Sequence, residues 1–121
     1  MARYSGSCHC GAVRFSVVTE PVEMTRCDCS LCARKNALMI KVPQAGLILE
    51  AGAADLATYR WNTRVACHHF CRVCGIYVFH RKRAEPDHFG VNVFCLEGFD
   101  VEGLPIRLAD GQAMSVMEPA S

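Results

Sequence analysis

No apolar run in this chain approaches the roughly 20 residues that a membrane-crossing helix needs, so no membrane role is expected. The opening Met1-Ala2-Arg3-Tyr4-Ser5-Gly6-Ser7 has no signal-peptide hydrophobic core, and the expectation is a cytoplasmic protein. Internal repeats, low-complexity tracts and linkers are absent as well. The 121 residues are therefore read as a single domain, with its core over about 4–104 and a loosely held tail at 109–121. Charge of one sign is lacking too. The formal net charge is +1, and seven thiolates holding two divalent ions would turn it to −2, which argues against nucleic acid as a partner. Arg60, Arg64, Arg72, Arg81, Lys82 and Arg83 read first as solvated surface, and more sharply as a landing zone for an acidic small molecule.

Also missing is any long apolar stripe at helical spacing. What is present instead is alternation: Val13, Phe15 and Val17 against Ala12, Arg14 and Ser16, the period of a half-buried strand over 11–18. Leu38, Ile40 and Val42 repeat it before Pro43, and 47–50 and 58–61 are shorter candidates. Segments 76–80 and 91–96 are apolar on both faces, which predicts central strands. One helical turn is expected over 30–35, where Ser30 can cap the following amides and Arg34 and Lys35 suit the C-terminal end. These signals make a mostly-β domain with one short helical turn.

Nine cysteines stand out against this background, in three groups: Cys8-His9-Cys10, Cys27-Asp28-Cys29-Ser30-Leu31-Cys32 and Cys71-Arg72-Val73-Cys74. In a reducing compartment clustered cysteines point to metal rather than disulfides, and an odd total cannot pair completely. Cys71 and Cys74 flank a tight turn before Gly75, a zinc-knuckle signature, and Cys8 and Cys10 are its looser counterpart. Together they can close a four-sulfur structural site across about 60 residues. Four thiolates suit iron as well as zinc; zinc is favoured because the central group makes better sense with a redox-silent ion.

Cys27, Cys29 and Cys32 leave a tetrahedral ion one ligand short. The fourth position falls to Cys67, Cys95, His68 or His69, or stays open for water or substrate, and the open form is typical of catalytic zinc. Three thiolates on zinc sum to −1, so such an ion acidifies water less than one held by neutral histidines. A soft, sulfur-rich site suits an incoming thiolate, which predicts carbon–sulfur bond chemistry.

These three groups, with Gly6-Ser7 before the first, Gly11-Ala12-Val13-Arg14-Phe15 after it and Phe70 and Gly75 flanking the last, resemble the glutathione-dependent formaldehyde-activating enzyme family, whose domain also occurs in centromere protein V. The resemblance runs from about Tyr4 to Leu104. It implies a β-tent of several coiled antiparallel sheets, a structural zinc on Cys8, Cys10, Cys71 and Cys74, and a catalytic zinc on Cys27, Cys29 and Cys32. It also implies a lyase that joins glutathione and formaldehyde into S-(hydroxymethyl)glutathione, with a glutathione-like thiol and an aldehyde as partners. Asp28 stands where many members carry histidine, and is either a proton acceptor for the thiol or a turn residue. Arg34 and Lys35 could receive glutathione carboxylates. The competing expectation is an interaction module with two structural zincs.

Three remaining groups have plainer readings. His68 and His69 are strand or loop histidines, or acid/base groups near a metal. Trp61, Tyr59 and Tyr77 are expected to pack in the core, with the floor of a substrate pocket as the other reading, and Cys67 and Cys95 to be small buried hydrophobes.

Overall fold

The alternation at Phe15 and Val17 becomes a strand, and these two side chains, with Val13 just before it, lose all solvent contact. The computed structural model describes residues 2–27, 30–60, 67–81 and 87–109, the side chains of Ser30, Cys32 and Ala109 excepted. In chain order its elements are β1 (Ala2–Ser7), β2 (Arg14–Thr19), β3 (Met24–Cys27), α1 (Ser30–Lys35), β4 (Met39–Pro43), β5 (Leu47–Ala51), β6 (Leu56–Tyr59), β7 (Cys67–Cys71), β8 (Tyr77–Arg81), β9 (His88–Asn92) and β10 (Ile106–Ala109). The fold is mostly β, as expected. A three-stranded sheet runs β1-β2-β5 and a seven-stranded sheet runs β10-β3-β4-β9-β8-β7-β6, antiparallel except where β10 lies parallel to β3.

Cross-strand partners point to the same face of a sheet, so the register sorts the seven-stranded sheet into two faces. Ile40, Val91 and Phe79 fall in one row, and Val42 with Phe89 in the next. All five are buried. Against this face pack Phe15 and Val17 of β2. Phe79 meets Phe15 edge-on at 5.5 Å between ring centroids and Phe89 at 5.6 Å, the tilted geometry that aromatic quadrupoles favour. Burial of these side chains removes about 1.5–3 kcal/mol of unfavourable hydration each, and the layer between the two sheets is the core. Gly6 lets it close: a Cβ there would stand 2.5 Å from the Phe15 ring, its partner across β1 and β2.

Several expectations are revised. The apolar run 91–96 is not one strand: β9 ends at Asn92, whose side chain accepts the Phe94 N–H at 3.1 Å and starts a 3-10 turn over Val93–Cys95. Segment 76–80 and the first two residues of 91–96 do fall in central strands, β8 and β9. Strands β1, β3, β7 and β10 go beyond the elements expected. Tyr59 is about half exposed at the sheet edge rather than packed in the core. The expectations for Trp61, Arg64, Lys82, Arg83, and the tail beyond 109 lie outside the described residues.

Candidate metal centre

Strand β7, the turn after it and the loop between β1 and β2 bring four distant sulfurs together. The Cys8, Cys10, Cys71 and Cys74 sulfurs all lie within 4.8 Å of one another. Cys8 Sγ is 3.6 Å from Cys10 Sγ, which is 3.7 Å from Cys71 Sγ. An ion with metal–sulfur bonds of about 2.3 Å sets its tetrahedral sulfurs about 3.8 Å apart, so the four residues fit zinc or another thiophilic ion. The turn is built for this. Cys71 N–H donates to the Ile76 carbonyl at 2.9 Å and Gly75 N–H to the Cys71 carbonyl at 2.7 Å. Gly75 takes φ +80° with nothing within 4 Å of a Cβ, so conformation rather than crowding selects glycine.

Backbone amides are aimed at the sulfurs. Val13 N–H lies 3.3 Å from Cys8 Sγ, and the Val73 and Cys74 N–H groups lie 3.4 and 3.5 Å from Cys71 Sγ. Such donors orient and stabilise metal-bound thiolates. The Cys10 and Ile76 amides bring Cys74 down to about 6. At Cys10 the Ala12 amide pulls down, but burial and proton sharing with Cys8, Cys71 and Cys74 push it up to about 11. Four clustered sulfurs do not all give up protons without a cation. Cys8 and Cys71 are buried and Cys10 is exposed.

Of the central group, Asp28 and Cys29 and the Cys32 side chain lie outside the described residues. Cys27 ends β3, half-buried. Thr25 pairs with Met39 and Met39 with Asn92, which puts Cys27, two residues on from Thr25, on the face opposite the core. The same face carries His68 and His80, which are cross-strand partners with His80 opposite Gly90. A bulge in the β7–β8 pairing brings Tyr77 opposite Phe70 and so onto this face as well.

Helix α1 covers that face. Asn36, at φ +51°, ends the helix in the left-handed conformation and accepts a hydrogen bond from the Arg26 guanidinium. Lys35 Nζ sits 2.6 Å from His68 Nδ1 and 3.7 Å from the centre of the Tyr77 ring, a cation–π contact. The Tyr77 hydroxyl is hydrogen-bonded to His80 Nδ1, and the His80 ring stacks on His68 at 5.2 Å. Burial, then the Lys35 charge, lowers His68 to about 4, so the ring stays neutral and accepts from the ammonium. Arg34 is exposed, whereas Lys35 is half-buried in this network.

The other candidate ligands are placed differently. Cys95 Sγ lies 3.6 Å from the Tyr77 carbonyl, and burial pushes its thiol up to about 11. Arg60 Nε lies 3.2 Å from Cys67 Sγ, and His69 Nδ1 meets Thr58 Oγ1 at 2.9 Å. Cys67 and Cys95 are half-buried with polar contacts rather than simple hydrophobes. Sequence spacing alone did not reveal Tyr77 and His80 as neighbours of Lys35.

Residues 3–105 match the family model described as glutathione-dependent formaldehyde-activating enzyme. The chain belongs to this family. A Halomonas elongata protein provisionally named as a glutathione-dependent formaldehyde-activating enzyme is 37% identical over 95 residues. That match takes in 69% of this chain and 60% of the relative, so it spans less than two thirds of that protein's length. A Rhodobacter sphaeroides protein of known crystal structure superposes with a TM-score of 0.77 at 39% identity, over 85% of this chain and 99% of the other. No helix among the described residues is long and apolar enough to cross a membrane.

Proposed function

We propose that this protein is a zinc-dependent carbon–sulfur lyase that forms or cleaves a thiol–aldehyde adduct, most directly S-(hydroxymethyl)glutathione from glutathione and formaldehyde. The observation that carries this reading is the shared face of Cys27 and the Lys35 ammonium, in a chain of the formaldehyde-activating family. Cys8, Cys10, Cys71 and Cys74 would hold one zinc for structure, and Cys27, Cys29 and Cys32 a second for catalysis. Zinc on the central sulfurs would supply a soft Lewis acid that keeps a thiol in its thiolate form.

The chain's own residues supply the rest. Asp28, next to Cys27, is placed in sequence to accept the proton of the incoming thiol. Exposed Arg34 offers a guanidinium fork for a glutathione carboxylate, and Lys35 adds positive charge beside it. A cytoplasmic setting, where glutathione is abundant and thiols stay reduced, suits both metal sites. The interaction-module reading has one observation in its favour: Val73 and Phe94, both more than half exposed, are apolar residues near the four-sulfur turn.

Exchange among glutathione, formaldehyde and their adduct, followed by NMR, tests the enzyme reading. Acceleration above the spontaneous rate, lost on removal of zinc, is expected. An unchanged rate would leave the interaction module as the better account.

A further inference from the structure

We propose that Lys35 is the general acid of this reaction, giving a proton to the aldehyde oxygen, with His68, Tyr77 and His80 as the residues that position it. The proposal rests on the thiol–aldehyde reading and deepens it: Lys35 parts company with Arg34 and leaves the binding of carboxylates to it.

The geometry is the argument. Lys35 closes α1 three residues after Cys32, about 4.5 Å further along the helix axis. Its ammonium lies over the same face of the seven-stranded sheet as Cys27. Its contacts with His68 Nδ1 and the Tyr77 ring are with neutral groups that hold an ammonium without taking its proton. His68, lowered to about 4, is too weak a base to do so near neutrality, whereas an alkoxide is strong enough. Tyr77 reaches the site because of the bulge opposite His69 and Phe70. His80 is seated because Gly90 faces it: a Cβ there would lie 2.6 Å from the imidazole. These features fix one ammonium in one place, as a general acid requires.

The step balances. The thiol has first lost its proton, which passes to water by way of Asp28 in the thiol–aldehyde reading. Its sulfur then attacks the carbonyl carbon, the C–S bond forms as the C=O π pair moves onto oxygen, and Lys35 Nζ–H protonates that oxygen. Water returns a proton to Lys35. The net change moves one proton from sulfur to oxygen and consumes no other reactant. Cleavage of the adduct runs the same path backwards.

The test compares zinc-loaded wild type with Lys35→Met, Lys35→Arg, His68→Gln and Gly90→Ala in the NMR exchange assay, alongside zinc content and thermal unfolding. Lys35→Met is expected to lower kcat at least 100-fold with KM for glutathione nearly unchanged, within the range that general acids contribute. Lys35→Arg keeps the charge but holds its proton too tightly to donate it, and should be as slow as Lys35→Met. His68→Gln and Gly90→Ala, which disturb positioning only, should each cost about tenfold in kcat. Rescue by arginine, or a change confined to KM, would mean a carboxylate receptor and overturn the proposal. Imidazole nitrogen shifts of the wild type give a readout apart from activity: His68 should be the neutral tautomer with its proton on Nε2. A proton on His68 Nδ1 at neutral pH would overturn the arrangement. A wild type that does not accelerate exchange removes the reaction and its acid together; an active wild type matched by Lys35→Met removes the acid alone.

Discussion

Cys10 and Cys71 are 61 residues apart and meet only because β7 and the β1–β2 loop end side by side, whereas Cys27, Cys29 and Cys32 fall within six residues of one another before any folding. The first group is gathered by the fold; the second is close together in the sequence itself. A site assembled over such a loop returns its binding energy to the fold, because the unfolded chain does not hold the ligands together. A local site can load and unload with less consequence for the sheets. That is the division expected of a structural and an exchangeable centre. The surroundings differ in the same sense. Backbone amides that do not titrate support the four-sulfur centre, while the face of Cys27 carries titratable side chains, Lys35, His68, Tyr77 and His80.

The largest effect expected from this contrast is at Cys71, which is fully buried. Structural zinc binds thiolate sites with on the order of 10 kcal/mol, comparable with the whole stability of a small domain. Cys71→Ser should therefore lose its metal and show no cooperative unfolding transition by circular dichroism. Cys29→Ser should instead lose one zinc by metal analysis and still unfold cooperatively. If both variants unfold, the two groups are equally structural and the contrast fails.

How far this was legible in the sequence follows from what each signal depends on. The outer cysteine pairs were readable because two sulfurs two or three residues apart, each pair followed by a glycine, have few other uses. Strands β2, β4 and β5 were readable because one face of each is apolar. Strand β1 was not: in Ala2–Ser7 the buried position is Gly6, made so by the Phe15 ring above it, and no apolar alternation results. Strand β7 was obscured because Cys67–Cys71 reads as ligands and histidines before it reads as a strand. The run at 91–96 misled because its apolar residues continue past the point where Asn92 turns the backbone. The Lys35 network was not legible at all. It depends on His68 pairing with His80, and on a bulge that moves Tyr77 to their face, and a shift of one residue in that register would have sent the ring into the core.

A smaller effect sharpens the comparison through pH. His68 is near 6.5 when unfolded and about 4 when folded, so the unfolded chain binds more protons between those values. Its contribution to stability is therefore fully present above about pH 6.5 and is lost as pH falls through about 4. Between pH 7 and pH 5 the loss should be about 2 kcal/mol. Acid also protonates the sulfurs, so the quantity to measure is the difference in urea unfolding between wild type and His68→Gln at each pH. The variant should show the shallower fall. Equal slopes would mean that His68 is not held neutral beside Lys35.

The smallest effect lies beside the four-sulfur centre itself. Arg72, within the Cys71–Cys74 turn, has its Nε 3.3 Å from Asp55 Oδ1, with side chains 64% and 32% exposed. Proximity to the metal site would suggest importance, but exposed ion pairs contribute about 0–1 kcal/mol because water and salt screen them. The link that matters there is in the backbone, where Arg72 N–H donates to the Asp55 carbonyl at 2.9 Å, and a side-chain change leaves it intact. Arg72→Ala should therefore shift the denaturation midpoint by no more than about 0.5 kcal/mol in free energy, and retain full zinc. A loss above 1 kcal/mol, or metal released with it, would mean that the turn is held by its side chains rather than by its amides and sulfurs, and the closed centre would depend on its surface as much as on the fold.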